Sequence, residues 1–276
     1  MNKLIVLPLL TGMLFSTVNL VNAQSTQDRE VPQVEAVPVS SEALLSAAKE
    51  QYHQGNYKKV VDLSTEAIRA NANNINAFYY RGIARLELGI AKPSLFTEEL
   101  LGSINADLSR VMELDTLNSE VYFHHGRANY FYVRLKLNSS SLLSVNTNDE
   151  SYYNYQIVSS SIDSLKKYLE TSHEVKKVTY LYLTDAIIYI GSGEAKAYLD
   201  SYSSNVNIMK DTDFYLLKGL LGLKYTQDNE SYKNRIENFG NVISIDPNNV
   251  YAYSHCWSSL ADNSALQAHS LKSHEA

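Results

Sequence analysis

Cysteine is nearly absent. Cys256 stands alone among 276 residues, which excludes an internal disulfide and any site built from several thiolates. Five prolines and eleven glycines are too few for a collagen-like or low-complexity chain, or for a sandwich of many tight turns. Basic residues are outnumbered 24 to 30, and the formal charge of −6 gives no electrostatic basis for general nucleic-acid binding. No H-x-x-x-H, G-x-S-x-G or G-x-G-x-x-G occurs. His124-His125 and His255-Cys256 are adjacent pairs, and helical neighbours point ~100° apart, so neither forms a ready metal or nucleophile pair. The sequence therefore nominates no catalytic residue, no metal ligand and no cofactor, and reads as non-enzymatic. What it does hold is 45% apolar residues, enough for a core, and 21 tyrosines against seven phenylalanines and one tryptophan. Large apolar area thus comes with many hydroxyls.

The first 23 residues read as an address. Lys3 is followed by an apolar stretch from Leu4 to Phe15 and by Val21-Asn22-Ala23, the three-part pattern of a secretory signal peptide cut after Ala23. Pro8, Gly12, Thr17, Asn19 and Asn22 dilute the run below the ~20 apolar residues that span a bilayer. The expectation is an exported chain, periplasmic or extracellular, with no stable membrane insertion after cleavage. Residues 24–40, with Pro32 and Pro38 and no apolar period, read as an extended linker.

From Ser41 the chain repeats itself. Leu44, Ala47, Ala48 and Tyr52 form one helical stripe, Gly55-Asn56 breaks it, and Val60, Leu63, Ala67 and Ile68 form a second, ended by Asn71 to Asn74. A bulky residue then recurs at Leu44, Phe78, Tyr122, Tyr180, Tyr215 and Tyr253. Four places on come Ala48, Gly82, Gly126, Thr184, Gly219 and Trp257, and both series step by 34, 44, 58, 35 and 38. The small residue lets paired helices approach closely, and the bulky one fills the layer between hairpins. Two stretches lengthen the array, a loop around Pro93 and a Ser/Asn-rich run between Tyr132 and Tyr152. Both read as tolerated surface loops, with a binding loop as the alternative.

These residues resemble tetratricopeptide repeats. The first unit fits with Leu44, Ala48, Gly55, Tyr57, Ala67 and Asn74. The end of the fifth, Val242-Ile243-Ser244-Ile245-Asp246-Pro247-Asn248-Asn249, is similar to that family's repeat ending, as is Val111 to Asp115 in the second. The resemblance implies an all-α, right-handed solenoid of about five helix hairpins over residues 41–264, closed by a capping helix from Val250 to about Ser264. Trp257 there replaces the small residue that a further partner helix would need. Residues 265–276 read as a tail that extends this helix or frays.

The resemblance also implies a concave groove lined by the first helix of each pair. It points to Leu45, Lys49, Tyr52 and His53 in unit one, Tyr79, Ile83, Leu86 and Glu87 in unit two, Phe123, Arg127, Tyr130 and Phe131 in unit three, and Leu181, Asp185, Ile188 and Tyr189 in unit four. Such a surface suits an extended peptide or an amphipathic helix. The same tyrosines suit burial under neighbouring hairpins equally well. The lysine and asparagine pair with which some members clamp acidic tails is missing, since unit one has Leu45 and Lys49 at those places. The functional expectation is a protein or peptide partner held by an envelope scaffold. A glycan-binding or envelope-assembly accessory is the alternative.

Overall fold

The computed structural model describes residues 39–136, 150–191, 193–204, 211–225 and 229–274. The proposed leader, most of the linker and the Ser/Asn-rich run at 137–149 lie outside them. Among the described residues there are eleven α-helices and no strand. They are α1 (Ser41–His53), α2 (Tyr57–Ala70), α3 (Ile75–Ala91), α4 (Glu98–Leu114), α5 (Ser119–Lys136), α6 (Glu150–Thr171), α7 (Val178–Ile190), α8 (Ala195–Ser203), α9 (Thr212–Tyr225), α10 (Asn229–Ile245) and α11 (Val250–His274). Each helix packs on the next, and each odd-numbered helix from α1 to α7 also touches the odd-numbered helix that follows it. Five hairpins in a row, with first helices side by side, make the expected solenoid.

The turns between hairpins explain the recurring Asp/Asn endings. Asn71, Asp115 and Asp246 each accept, on a side-chain oxygen, the backbone N–H two residues on, at 3.0, 3.3 and 3.1 Å. Three residues after the first and last of these, Asn74 and Asn249 cap α3 and α11 by accepting from Ala77 N and Ala252 N. A short polar side chain thus closes one helix and the next asparagine opens another. Within hairpins, Gly55 (φ 75°) and Gly191 (φ 86°) take the left-handed backbone that ends α1 and α7.

Small residues sit where paired helices cross. A Cβ on Gly126 would come within 2.6 Å of Leu165 Cγ and 3.0 Å of the Ser161 carbonyl oxygen, and one on Gly219 within 2.7 Å of Phe239 Cε1. Gly82 meets Leu108 in the same way at 2.9 Å, and Ala48 and Thr184 are wholly buried. Trp257, the sixth in that series, is 70% exposed on α11. One continuous apolar core runs from Ile83 to Ala252, with two small clusters around Leu45 and Ala48 in unit one.

The insertion around Pro93 is more than a loop thrown outward. A single 3-10 turn, Pro93–Leu95, brings Phe96 back onto Gly89, where even a Cβ would lie 2.9 Å from the ring. Phe96 is buried there, edge-on to Tyr132. In unit three the extra length goes partly into long helices, 18 residues in α5 and 22 in α6. The helix α11 continues through residues 265–274, a stretch without glycine or proline to stop it.

Candidate functional site

The first helices place the anticipated groove residues at three depths. Leu45, Ile83, Leu86, Phe123, Tyr130, Leu181, Asp185 and Ile188 are buried. Lys49, Tyr52, Tyr79, Glu87, Arg127, Phe131 and Tyr189 are half-buried, and His53 is exposed. Phe123 and Tyr130 therefore belong to the core: Phe123 packs on Tyr168 and His124, and Tyr130 is stacked obliquely on Tyr182 at 4.8 Å. Phe123 is covered by Tyr168 of α6, and Tyr130 by Tyr182 and Asp185 of α7, so the partner helix and the next unit close over these positions.

The half-buried residues form an aromatic and polar rail across four first helices. In unit one, Tyr52 meets Tyr57 and Tyr80 edge-on at 5.4 and 5.6 Å, and Lys49 Nζ lies 5.7 Å from the Tyr80 ring centre. Tyr79 meets His124 edge-on at 5.8 Å. Arg127 of α5 donates to both carboxylate oxygens of Glu87 on α3, at 2.5 and 3.4 Å, and lies over Phe131. One turn on, Tyr130 donates to Asp185 of α7 at 2.8 Å and accepts from Arg134 Nη1 at 3.1 Å. Neighbouring units are thus tied across their first helices by charge-assisted bonds in a half-dry setting, where such bonds are stronger than in water.

Burial, then Glu87, pushes the Tyr52 hydroxyl up to about 12, and burial with Asp185 pushes Tyr130 well above its ordinary range. Both stay protonated and able to donate. Burial first, then Lys176 and Arg127, pulls His124 down to about 3, and burial pulls His125 down to about 4. Both rings are neutral at pH 7. His125 Nδ1 lies 2.8 Å from Ser164 Oγ, a buried bond between α5 and α6 rather than an exposed nucleophile pair. His255 stacks on Phe239, and Cys256 is half-buried with its thiol pushed up by burial.

Several rail residues escaped the repeat-based reading. Arg134 falls beyond a standard first helix and reaches this face on the long α5, where it donates to Tyr130; Lys136, two residues on, lies over Tyr132 instead. Tyr182, which packs on both Tyr130 and Phe131, sits between the repeat positions that line a groove. Lys176, which pairs with Glu120 and lies 4.2 Å from the Phe123 ring centre, comes from the segment before α7. No periodicity marks a residue in a connecting segment.

No protein-family profile matches this chain, and no curated protein does. Solved structures do. YrrB, described as a tetratricopeptide-repeat protein with an unusual peptide-binding site, aligns with a TM-score of 0.53 at 12% identity, covering 78% of this chain and 91% of that one. MamA aligns at 0.49 with 16% identity, covering 75% and 92% of the two chains. A thermophilic tetratricopeptide-repeat protein of Thermus thermophilus, TTC0263, aligns at 0.43 with 14% identity, covering 80% and 100%. At such identity the likeness to YrrB is one of fold, and this chain has the tetratricopeptide-repeat fold.

Proposed function

We propose that this chain is a non-enzymatic interaction scaffold that holds an extended peptide or an amphipathic helix of a partner protein along its first-helix face. The observation that carries the reading is the rail itself. Tyr52, Tyr79, Phe131 and Tyr189 are half-buried on four successive first helices, and Arg127 among them is held in place by Glu87. Rings already fixed by packing lose little freedom on binding, and their hydroxyls give hydrogen bonds at the rim. Lys49 and His53 stand with Tyr52 on the first helix of unit one. The likeness of fold to a protein with a peptide-binding site supports the reading. The export signal ending at Ala23 would put this scaffold outside the cytoplasm, and the N-terminal residue of the secreted protein, expected to be Gln24, tests that part.

Photocrosslinking in cells tests the binding face. A photoreactive residue at His53 or Tyr189 should yield one and the same crosslinked partner. One at Arg110 or Gly240, on second helices, should not. Equal crosslinking from both faces would overturn the groove.

A further inference from the structure

The two ends of the solenoid differ. On α1 the exposed residues are small or charged, Glu42, Ala43, Ser46 and Glu50, which suits a terminal unit that must stay soluble. The last helix, α11, does the opposite. One side of it packs on α10, with Ala252 and Ser259 fully buried and His255 stacked on Phe239. Along another side run Val250, Tyr253, Trp257 and Leu260, all exposed, by 79% for Val250 and 70% for Trp257. Steps of three, four and three residues align them in one stripe. Ser254, Ser258 and Ala261, small and exposed, flank it. Scattered exposed apolar residues are ordinary, but a contiguous aromatic stripe marks an interaction site.

Three features of the stripe select a second copy of this chain as its occupant. The spacing three-four-three reads the same in both directions. A second α11 laid antiparallel, with the two His255 positions level, sets Val250 against Leu260 and Tyr253 against Trp257, twice over, and leaves no large residue unmatched. Charge does not oppose the pairing. From Val250 to Ser264 the only charged residue is Asp262, about 140° around the helix from Trp257, so two copies of a chain of charge −6 meet here without like charges. Trp257 itself is the third feature. Gly82, Gly126 and Gly219 let the second helix of the same hairpin come close, whereas an indole at that place keeps such a helix out and offers the kind of anchor that dominates interfaces.

We propose that the outer stripe of α11 is an interface between two copies of this chain, formed by antiparallel pairing of α11 about a two-fold axis near His255. Two solenoids are thereby joined at their last helices. A pair of such stripes buries about 1,000 Å² over both copies, the lower range for a specific interface, so the dimer is a weak one with a Kd of about 10 μM. The stripe shares no residue with the first-helix rail, and neither reading stands or falls with the other.

The test uses the full chain and its single tryptophan, whose emission reports on the stripe alone. Samples diluted from about 200 to about 1 μM are followed by sedimentation equilibrium and by fluorescence. The mass is expected to fall from dimer to monomer, and the emission to move to the red over the same range. Trp257→Glu and Leu260→Glu, at exposed positions, should each weaken pairing about tenfold or more, while Tyr155→Glu, exposed on α6, should leave it unchanged. Val250→Lys should also weaken it, and the double variant Val250→Lys/Leu260→Glu should regain pairing, because the antiparallel register sets each lysine against a glutamate of the other copy. A monomer at the highest concentration, or pairing indifferent to Trp257→Glu, would overturn the proposal. So would blue emission from a monomer, which means that another segment of the chain covers the stripe, or a blue shift seen only with phosphatidylcholine vesicles, which means a lipid surface. A double variant no better than its parents would overturn the antiparallel pairing.

Discussion

In unit two the second helix, α4, lays Asp107 beside Gly82 of α3, and in unit five α10 lays Arg235 beside Gly222 of α9. Both charged groups are 3% exposed. Asp107 is met by Arg81 and Arg85, one turn apart on α3, each at 2.6 Å. Arg235 meets no acid at all among the described residues. The same device, a glycine that lets a charged side chain come close, closes a structural crossing in one unit and leaves Nε and Nη2 of Arg235 without a hydrogen-bond partner in the other. Burial of a charge alone therefore does not tell whether its partners are in place.

Four measurements sharpen that contrast. Among the substitutions, the largest loss at neutral pH is expected from Asp107→Ala, which leaves two half-buried arginines without their acid and should lower the unfolding free energy by about 3 kcal/mol in urea. Arg235→Met should do the reverse, raising it by about 1 kcal/mol, because it removes a buried charge with nothing to pair with. Equal losses in both variants would erase the distinction between the two units.

Acid comes next. His124 and His125 have folded-state values below the ordinary 6.5, so the unfolded chain binds more protons between pH 6.5 and about 4. Stability therefore rises with pH across that window and is lost as pH falls through it, on the order of 3 kcal/mol for each ring by pH 4. Replacing His125 by Asn, which keeps a partner for Ser164, should roughly halve the fall of the urea midpoint with acid, leaving the share of His124.

Gly126→Ala should cost about 2 kcal/mol, because its methyl meets the Ser161 backbone as well as Leu165, and backbone cannot swing aside. Gly82→Ala should cost less, since the atom it meets first is the flexible end of Leu108. Smallest of all, and of opposite sign, is Gly102→Ala. Nothing lies within 4 Å of its Cβ on α4, and the change should stabilise by about 0.5–1 kcal/mol, read as a rise in thermal midpoint. A loss there would mean that the outer face of α4 is not open.

Much of the fold was legible because repetition makes one physical argument count several times. Gly82, Gly126 and Gly219 fall at close crossings because each unit must solve the same packing problem, and the Asp/Asn endings recur because each turn must close one helix and start the next. The candidate surface was legible only in part. Tyr52, Tyr79, Arg127, Phe131 and Tyr189 do line the first helices at half depth. Phe123 and Tyr130 fill the interior instead, because Tyr168 of α6 covers the first and Tyr182 and Asp185 of α7 cover the second. Repeat spacing carries no information about that cover.

The amino-acid order alone determined the helical class, the unit boundaries and the close approaches, because these depend on spacing along a single helix or between one helix and the next. Only the tertiary structure decided that Glu87 holds Arg127, that Asp185 takes the Tyr130 hydroxyl, and that Arg235 is left unmet. The first two outcomes join residues 40 and 55 places apart, and the third depends on how α10 crosses α9 at Gly222. A local pattern records what each helix presents; which groups then face one another is settled when the layers close.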